Sequence, residues 1–241
     1  MNCALIFAGG TGTRMNTKGK PKQFLELHGK PIIIYTLEHF EHCDEIDEIV
    51  ISCHPDWISY LEELLVKFRI AKVVKIVPGG ETGQISIRNG LNALYERHAD
   101  KEDAIVLIHD GVRPLIYPET IQENIKVVRE YGNCITTAPL TETVLAKNDA
   151  GEATQTIDRS KCCLARAPQS FYLKDIIEAH RRLVADGDPM VIDSASLMSS
   201  YGVKLHIIAG PMENIKITTP SDFYIFRAIV DAQENSQIWG I

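Results

Sequence analysis

Short runs rich in Val and Ile recur along the chain at residues 3–8, 48–53, 73–77, 104–108, 134–138 and 203–208, and segments of helical period stand between them. The helical segments are 32–40, 57–68, 85–97 and 118–131, the last opening with Pro118 at a first helical position and Glu119 in its first turn. Strands that alternate with helices are joined by crossovers, so they predict a mostly parallel sheet covered by helices on both faces. Such strands can be apolar on both sides, as these are. Parallel strands send their carboxyl ends to one edge, where loops and helix N-termini offer free N–H groups to a ligand. The sequence marks that edge with Ala8-Gly9-Gly10-Thr11-Gly12-Thr13-Arg14-Met15, with Pro78-Gly79-Gly80-Glu81 and with His109-Asp110-Gly111-Val112-Arg113-Pro114. Residues 139–165 read differently. Polar and apolar residues alternate there around Asn148-Asp149-Ala150-Gly151, as in a hairpin arm leaving the sheet. With no internal repeat, low-complexity tract or linker, residues 1–241 are expected to form a single domain that carries this arm.

The charge balance limits the partners. With 25 Lys plus Arg against 32 Asp plus Glu, the chain has a formal charge of -7, which argues against broad binding to nucleic acid or an anionic membrane. Any polyanion it binds is expected to be small. No run approaches the roughly 20 apolar residues that cross a bilayer, and the opening run stops at Gly9-Gly10 without a basic leader. The 6 cysteines (Cys3, Cys43, Cys53, Cys134, Cys162 and Cys163) form neither a C-x-x-C pair nor a zinc-like cluster, so they are read as reduced thiols, buried or half-buried. A cytoplasmic location is expected.

Gly9, Gly10 and Gly12 crowd into the first loop, which lets backbone N–H groups approach an anion closely. Neither the dinucleotide fingerprint nor the P-loop fits, because Met15 stands where the former needs Gly and no G-x-x-x-x-G-K-[ST] occurs. A tight strand-to-helix connection would explain the glycines equally well. Charge favours phosphate: Arg14, Lys18, Lys20 and Lys22 follow at once in an otherwise acidic chain. Lys18 and Lys20 suit a solvated loop. Arg14 closes the glycine loop and Lys22 follows Pro21, which fixes the backbone just before the ammonium.

Ala8-Gly9-Gly10-x-Gly12-x-Arg14-Met15 followed by Pro21-Lys22-Gln23 resembles the opening of the sugar-phosphate nucleotidylyltransferases, and more narrowly the cytidylyltransferases acting on methylerythritol phosphate and ribitol phosphate. The likeness continues through Gly79-Gly80 and Ser86, His109-Asp110-x-x-Arg113-Pro114, Ala138-Pro139-x-x-x-Thr143, Asp158-Arg159, Ala167-Pro168-Gln169-x-Phe171, Asp193-x-Ala195 and Asn214-Ile215-Lys216-Ile217-Thr218. It covers nearly the whole chain, in the family's order.

The resemblance implies a Rossmann-like nucleotide-diphospho-sugar transferase fold whose β-arm helps form a homodimer. It also implies transfer of CMP from CTP to a polyol phosphate, with release of pyrophosphate. Arg14, Lys22 and Lys216 would be the catalytic cations. Ala8, Gly9, Gly10, Gly12, Gly79, Gly80, Glu81, Ser86 and Asp110 would bind the nucleotide, Asp110 would hold Mg²⁺, and Thr143, Arg159 and Arg113 would bind the acceptor. The reaction needs no strong base, because a phosphomonoester with a second pKa of about 6 is already a dianion near neutral pH. Cations that align two anions should therefore supply the catalysis. The acceptor stays open between ribitol phosphate, as for a wall or capsule polymer, and methylerythritol phosphate, as for isoprenoid synthesis, with the balance towards ribitol. A hexose 1-phosphate nucleotidylyltransferase and a catalytically silent nucleotide sensor are the other readings. Two positions depart from the family pattern. Gly83 stands where an Arg is common, with Arg88 five residues on, and Arg166-Ala167 replaces Gln-Thr before Pro168-Gln169.

Overall fold

The computed structural model describes residues 1–10 and 19–239. Its main sheet has seven strands in the order β11-β7-β10-β6-β1-β4-β5. In chain order these are β1 (Asn2–Ala8), β4 (Glu48–Cys53), β5 (Val73–Pro78), β6 (Ile105–Asp110), β7 (Asn133–Pro139), β10 (Cys163–Tyr172) and β11 (Ile207–Ala209). The pairings β1–β4, β1–β6, β4–β5 and β7–β11 are parallel, while β10 runs antiparallel to both β6 and β7. Two short strands, β2 (Glu26–Leu27) and β3 (Lys30–Pro31), pair beside the sheet.

The alternation of side chains along β1 shows why the strands are apolar throughout. Ala4 and Ile6 face a layer built from α1 (Ile32–Glu41), α2 (Ile58–Lys67) and α4 (Pro118–Tyr131), where Ile33, Leu37, Leu61, Leu64, Ile121 and Ile125 are buried. Cys3 and Leu5 face the opposite layer, α3 (Gly83–His98), α5 (Leu173–Ala185) and α6 (Ser194–Ser200), through Ile87, Leu91, Leu94, Ile176, Ile177 and Leu197. Each fully buried Leu, Ile or Phe here contributes about 1.5–3 kcal/mol relative to exposure, so two covered faces account for most of the drive to this architecture. The last helix, α7 (Pro220–Trp239), packs Phe226 and Val230 on Leu27, Ile32, Val112, Leu115 and Ile217, closing a third, smaller core.

Most of the expected elements form within a residue or two of their sequence boundaries; α3 begins slightly early, and the β6 strand extends to include His109 and Asp110. The run at 203–208 is corrected. Val203 and Leu205 pack against the core from irregular chain, and only Ile207–Ala209 pairs with β7. Strand β10 was not expected as a sheet member, because its first half is largely exposed and the strand lacks the Val and Ile runs of the others. The arm forms as a hairpin, β8 (Val144–Lys147) paired with β9 (Ala153–Ile157), outside the main sheet. All six cysteines are free. Cys3, Cys43, Cys53 and Cys134 are buried and Cys162 is half-buried, but Cys163 is exposed, contrary to the expectation for this thiol. No helix among the described residues is long and apolar enough to cross a membrane.

Candidate active site

The carboxyl ends of β1, β4, β5 and β6 share one edge of the sheet, and the reversed β10 delivers the first half of its length to that same edge. Glycines bring the β1 and β5 loops into contact. A Cβ on Gly79 would lie 2.9 Å from Gly9 Cα, so a side chain there forces the backbone apart, and a Cβ on Gly9 would lie 2.6 Å from Ser86 Oγ and displace that hydroxyl. Gly79 N–H donates to Cys53 O at 2.6 Å, Gly80 N–H donates to Ser86 Oγ at 3.0 Å, and that hydroxyl donates to Thr82 O at 2.9 Å. Thr82 in turn caps α3 by accepting from Ile85 N–H at 3.1 Å. Ala8, Gly9, Gly10, Gly79, Gly80 and Ser86 are thus assembled by the fold, with Glu81 exposed on the loop between the last two. Gly12 and Arg14 lie outside the described residues, as does Lys18.

Lys22 occupies a 3-10 turn, Lys22–Phe24, next to the first loop. The buried Gln23 side chain ties that turn down, donating to Ala8 O at 2.6 Å and Gly10 O at 3.3 Å. Lys22 itself is half-buried and does not line the cleft described next.

A cleft of about 630 Å³ opens at the strand edge, with Phe7, Asp110, Arg113, Arg166 and Lys216 on its charged side and Thr82, Gln84, His180 and Ile192 towards the other. Asp110 ends β6, and its carboxylate is 4 % exposed as a residue, yet two cations converge on it. Lys216 Nζ lies 2.6 Å from Oδ1 and Arg113 Nε lies 3.2 Å from Oδ2. Burial alone would raise the Asp110 pKa. The charges of Arg113 and Lys216 outweigh it and hold the group down at about 2, so it stays ionised. Asp110 caps no helix, since the next one begins only at Pro118.

Arg113 reaches on to Asn214, donating from Nη1 to its carbonyl at 2.6 Å, while Asn214 Nδ2 donates to Ala167 O at 2.7 Å. Arg166 Nη1 donates to Met212 O at 2.9 Å. Three hydrogen bonds therefore strap the segment that carries Lys216, whose ammonium also sits 5.6 Å from the centre of the Phe7 ring. His109 is not a ligand. Burial lowers its pKa to about 3, its Nε2 lies 3.0 Å from Arg113 O, which can only accept, and its ring packs on Phe40 at 5.2 Å.

The family profile described as 2-C-methyl-D-erythritol 4-phosphate cytidylyltransferase, IspD, matches residues 2–232. The chain belongs to this family. Ribitol-5-phosphate cytidylyltransferases from Streptococcus agalactiae serotype III and Vibrio parahaemolyticus are 52% and 53% identical to it, over 100% of both chains in each case. The 2-C-methyl-D-erythritol 4-phosphate cytidylyltransferase of Clostridium acetobutylicum is 38% identical over 95% of this chain and 97% of its own. Among solved structures, the 4-diphosphocytidyl-2C-methyl-D-erythritol synthase of Anaerococcus prevotii superposes with a TM-score of 0.83 at 27% identity, covering 96% of each chain. The Rossmann-like nucleotidyltransferase fold agrees with these neighbours.

Several family motifs turn out to be scaffolding for the cleft. Gln169 donates to Asp193 Oδ2 at 2.8 Å and accepts from Ala195 N–H at 2.8 Å, and Asp193 caps α6 through Ser196 N–H at 2.8 Å. The two departures also become interpretable. Gly83 leaves the first turn of α3 open at the cleft wall, and Arg88 does not take over the missing role, because it forms a bidentate pair with Asp188 at 2.8 and 3.0 Å. Thr143 and Arg159 are exposed at the base of the arm, outside the cleft of their own chain, with Arg159 donating to Thr141 O. Sequence reasoning also passed over His180, which is 3 % exposed at the cleft wall with both ring nitrogens unpartnered among the described residues; burial lowers its pKa to about 4. Only its place on the buried stripe of α5 could have flagged it.

Proposed function

We propose that the chain transfers CMP from CTP to ribitol 5-phosphate and releases pyrophosphate. That it is a CTP-dependent cytidylyltransferase for a polyol phosphate follows from its family; ribitol as the polyol is the narrower reading, supported by the full-length relatives above 50% identity that carry this name. The observation that carries the reading is the ammonium of Lys216 and the guanidinium of Arg113 held on one buried, ionised carboxylate at the floor of a cleft beside the Gly9, Gly79 and Gly80 loops.

A phosphate oxygen of the acceptor attacks the α-phosphorus in line, the bond to the β-phosphate oxygen breaks, and pyrophosphate carries away the electron pair. Negative charge accumulates around one phosphorus. Fixed cations stabilise that charge without reorganising, which is where the rate gain arises. Lys216 and Arg113 lie where they can do this, and Lys22 and Arg14 are assigned the triphosphate from the other side. Ala8, Gly12, Glu81 and Ser86 belong to the same nucleotide-binding assignment.

Mg²⁺ is the cofactor in this reading, and Asp110 is the residue that would hold it. The fit rests on the donor set: one ionised carboxylate suits an ion that takes most of its ligands from phosphates and water. Such an ion would neutralise phosphate charge. A cytoplasmic location belongs to the same reading and is supported by the six free thiols.

The test is pyrophosphate release from each nucleoside triphosphate with Mg²⁺, across ribitol, methylerythritol, xylitol and hexose phosphates. CTP with ribitol 5-phosphate should give the highest kcat/KM. Preference for methylerythritol phosphate would transfer the chain to the other branch of its family, and CTP binding without release would make it a sensor.

The arm suggests a homodimer in which Thr143 and Arg159 of one subunit complete the pocket of the other, because they are exposed and away from their own cleft. Mixing Arg159→Ala with Lys216→Ala chains is expected to restore part of the activity that each lacks, since a quarter to a half of the pockets would then hold both native residues. Absence of recovery after subunit exchange would count against a pocket shared between subunits.

A further inference from the structure

We propose that Arg166 is an acceptor-binding residue of this enzyme, forming with Arg113 a two-guanidinium clamp for the phosphate of the polyol phosphate. The inference deepens the reading above and rests on it.

Sheet order gives the direction. With β10 and β7 on one side of β6 and β1, β4 and β5 on the other, the glycine loops of β1 and β5 and the residues of β10 flank Asp110 from opposite sides. Arg166, on β10, and Met212 to Lys216, which follow β11, therefore belong to the side away from the nucleotide loops. An acceptor approaching Asp110 opposite CTP meets Arg166.

The surroundings of Arg166 are those of an anion site awaiting its anion. Of its donors, Nη1 is satisfied by Met212 O at 2.9 Å, and the others have no partner among the described residues. No carboxylate among the described residues pairs with it. Burial and then the neighbouring charge of Arg113 lower its pKa, with Glu213 partly offsetting them. Both guanidiniums line the same cleft, and a phosphomonoester offers the charge and the fork-matching oxygens that such groups bind.

The bond to Met212 O offers a competing role, bracing the strap that carries Lys216, and the variants separate the two. Arg166→Gln keeps a donor for Met212 O and loses the charge; Arg166→Lys keeps the charge and loses the fork. In steady-state pyrophosphate release, Arg166→Gln is expected to raise KM for the polyol phosphate by about tenfold or more, leaving KM for CTP and the melting temperature near wild type, with Arg166→Lys between. The inhibition constant of orthophosphate against the acceptor should rise in step. An unchanged acceptor KM overturns the proposal, as does a raised KM for CTP instead, or a lower kcat that Gln restores, which would mark a brace. The comparison uses whichever polyol phosphate the wild-type chain turns over. Failure of ribitol 5-phosphate as substrate thus appears in wild type alone, whereas failure of the clamp appears as equal constants in wild type and variant. If no polyol phosphate is turned over, calorimetric binding of orthophosphate decides, and equal affinity in Arg166→Gln refutes the site.

Discussion

Lys216→Ala is expected to lower kcat by about 10²- to 10³-fold, a loss of about 3 to 4 kcal/mol of transition-state stabilisation, while the protein melts close to the wild-type temperature. The two halves of that expectation come from different features of one side chain. Its ammonium is pinned 2.6 Å from Asp110 Oδ1 in the cleft, so the position of the charge is fixed before substrate arrives. Yet the side chain is 43% exposed, and an ion pair that water reaches so readily contributes little to folding. Asp110 also keeps its second partner, Arg113, when Lys216 is removed. If the ammonium acts chiefly on charge that develops during transfer, kcat and kcat/KM fall together and the KM for CTP moves little. The measurement is pyrophosphate release at saturating CTP and acceptor, with thermal melting as the folding control. Unchanged turnover would remove Lys216 from the reaction and leave Arg113 as the cation of the described cleft to be examined next.

The contrast between what was legible in the sequence and what was not follows from the range of the interactions. Strands such as β4 and helices such as α4 announce themselves locally, through β-branched runs and through a Pro at the first helical position, so their bounds could be read directly. Strand β10 could not, because its place between β6 and β7 is fixed by partners far away in sequence and it carries no Val or Ile. The helices after it, α5 to α7, went unread, although Pro220 opens α7 as Pro118 opens α4 and α5 buries one face. For the site, motif order pointed to Asp110 and Lys216, and the ion pair brings them together across the fold. Motif order was silent about division of labour. Gln169, Asp193 and Asn214 turned out to hold backbone in place, while Arg166, noted in the sequence only as a departure in charge, faces the cleft. Lys22 shows the converse: its turn is tied to the first glycine loop by Gln23, but a convergence of Lys22, Arg14 and Lys216 on one phosphorus involves a loop outside the described residues and remains part of the proposal.

Asp110→Asn should be the most damaging single substitution in the site, because it acts on folding and on activity together. The amide presents one acceptor and one donor to two partners that are both donors, so either Lys216 or Arg113 faces an N–H in place of an oxygen. Arg113, 8 % exposed, then keeps only Asn214 O as an acceptor among the described residues, and removing one partner of a buried pair costs about 3–5 kcal/mol. For a chain of 241 residues this corresponds to a fall in melting temperature of roughly 10 °C. The pH dependence identifies the cause. The folded pKa of Asp110, about 2, lies below the reference value of 3.8, so its contribution is fully present above pH 3.8 and disappears as the pH falls through 2. The stability gap between wild type and Asp110→Asn should therefore be widest near neutral pH and narrow by on the order of 2 kcal/mol between pH 4 and 2, in urea titrations that remain reversible over that range. Lys216→Ala leaves the Arg113 pair in place and should retain most of that acid sensitivity. A gap that stays constant with pH would show that the two cations do not draw their hold on this edge of the sheet from the charge of Asp110.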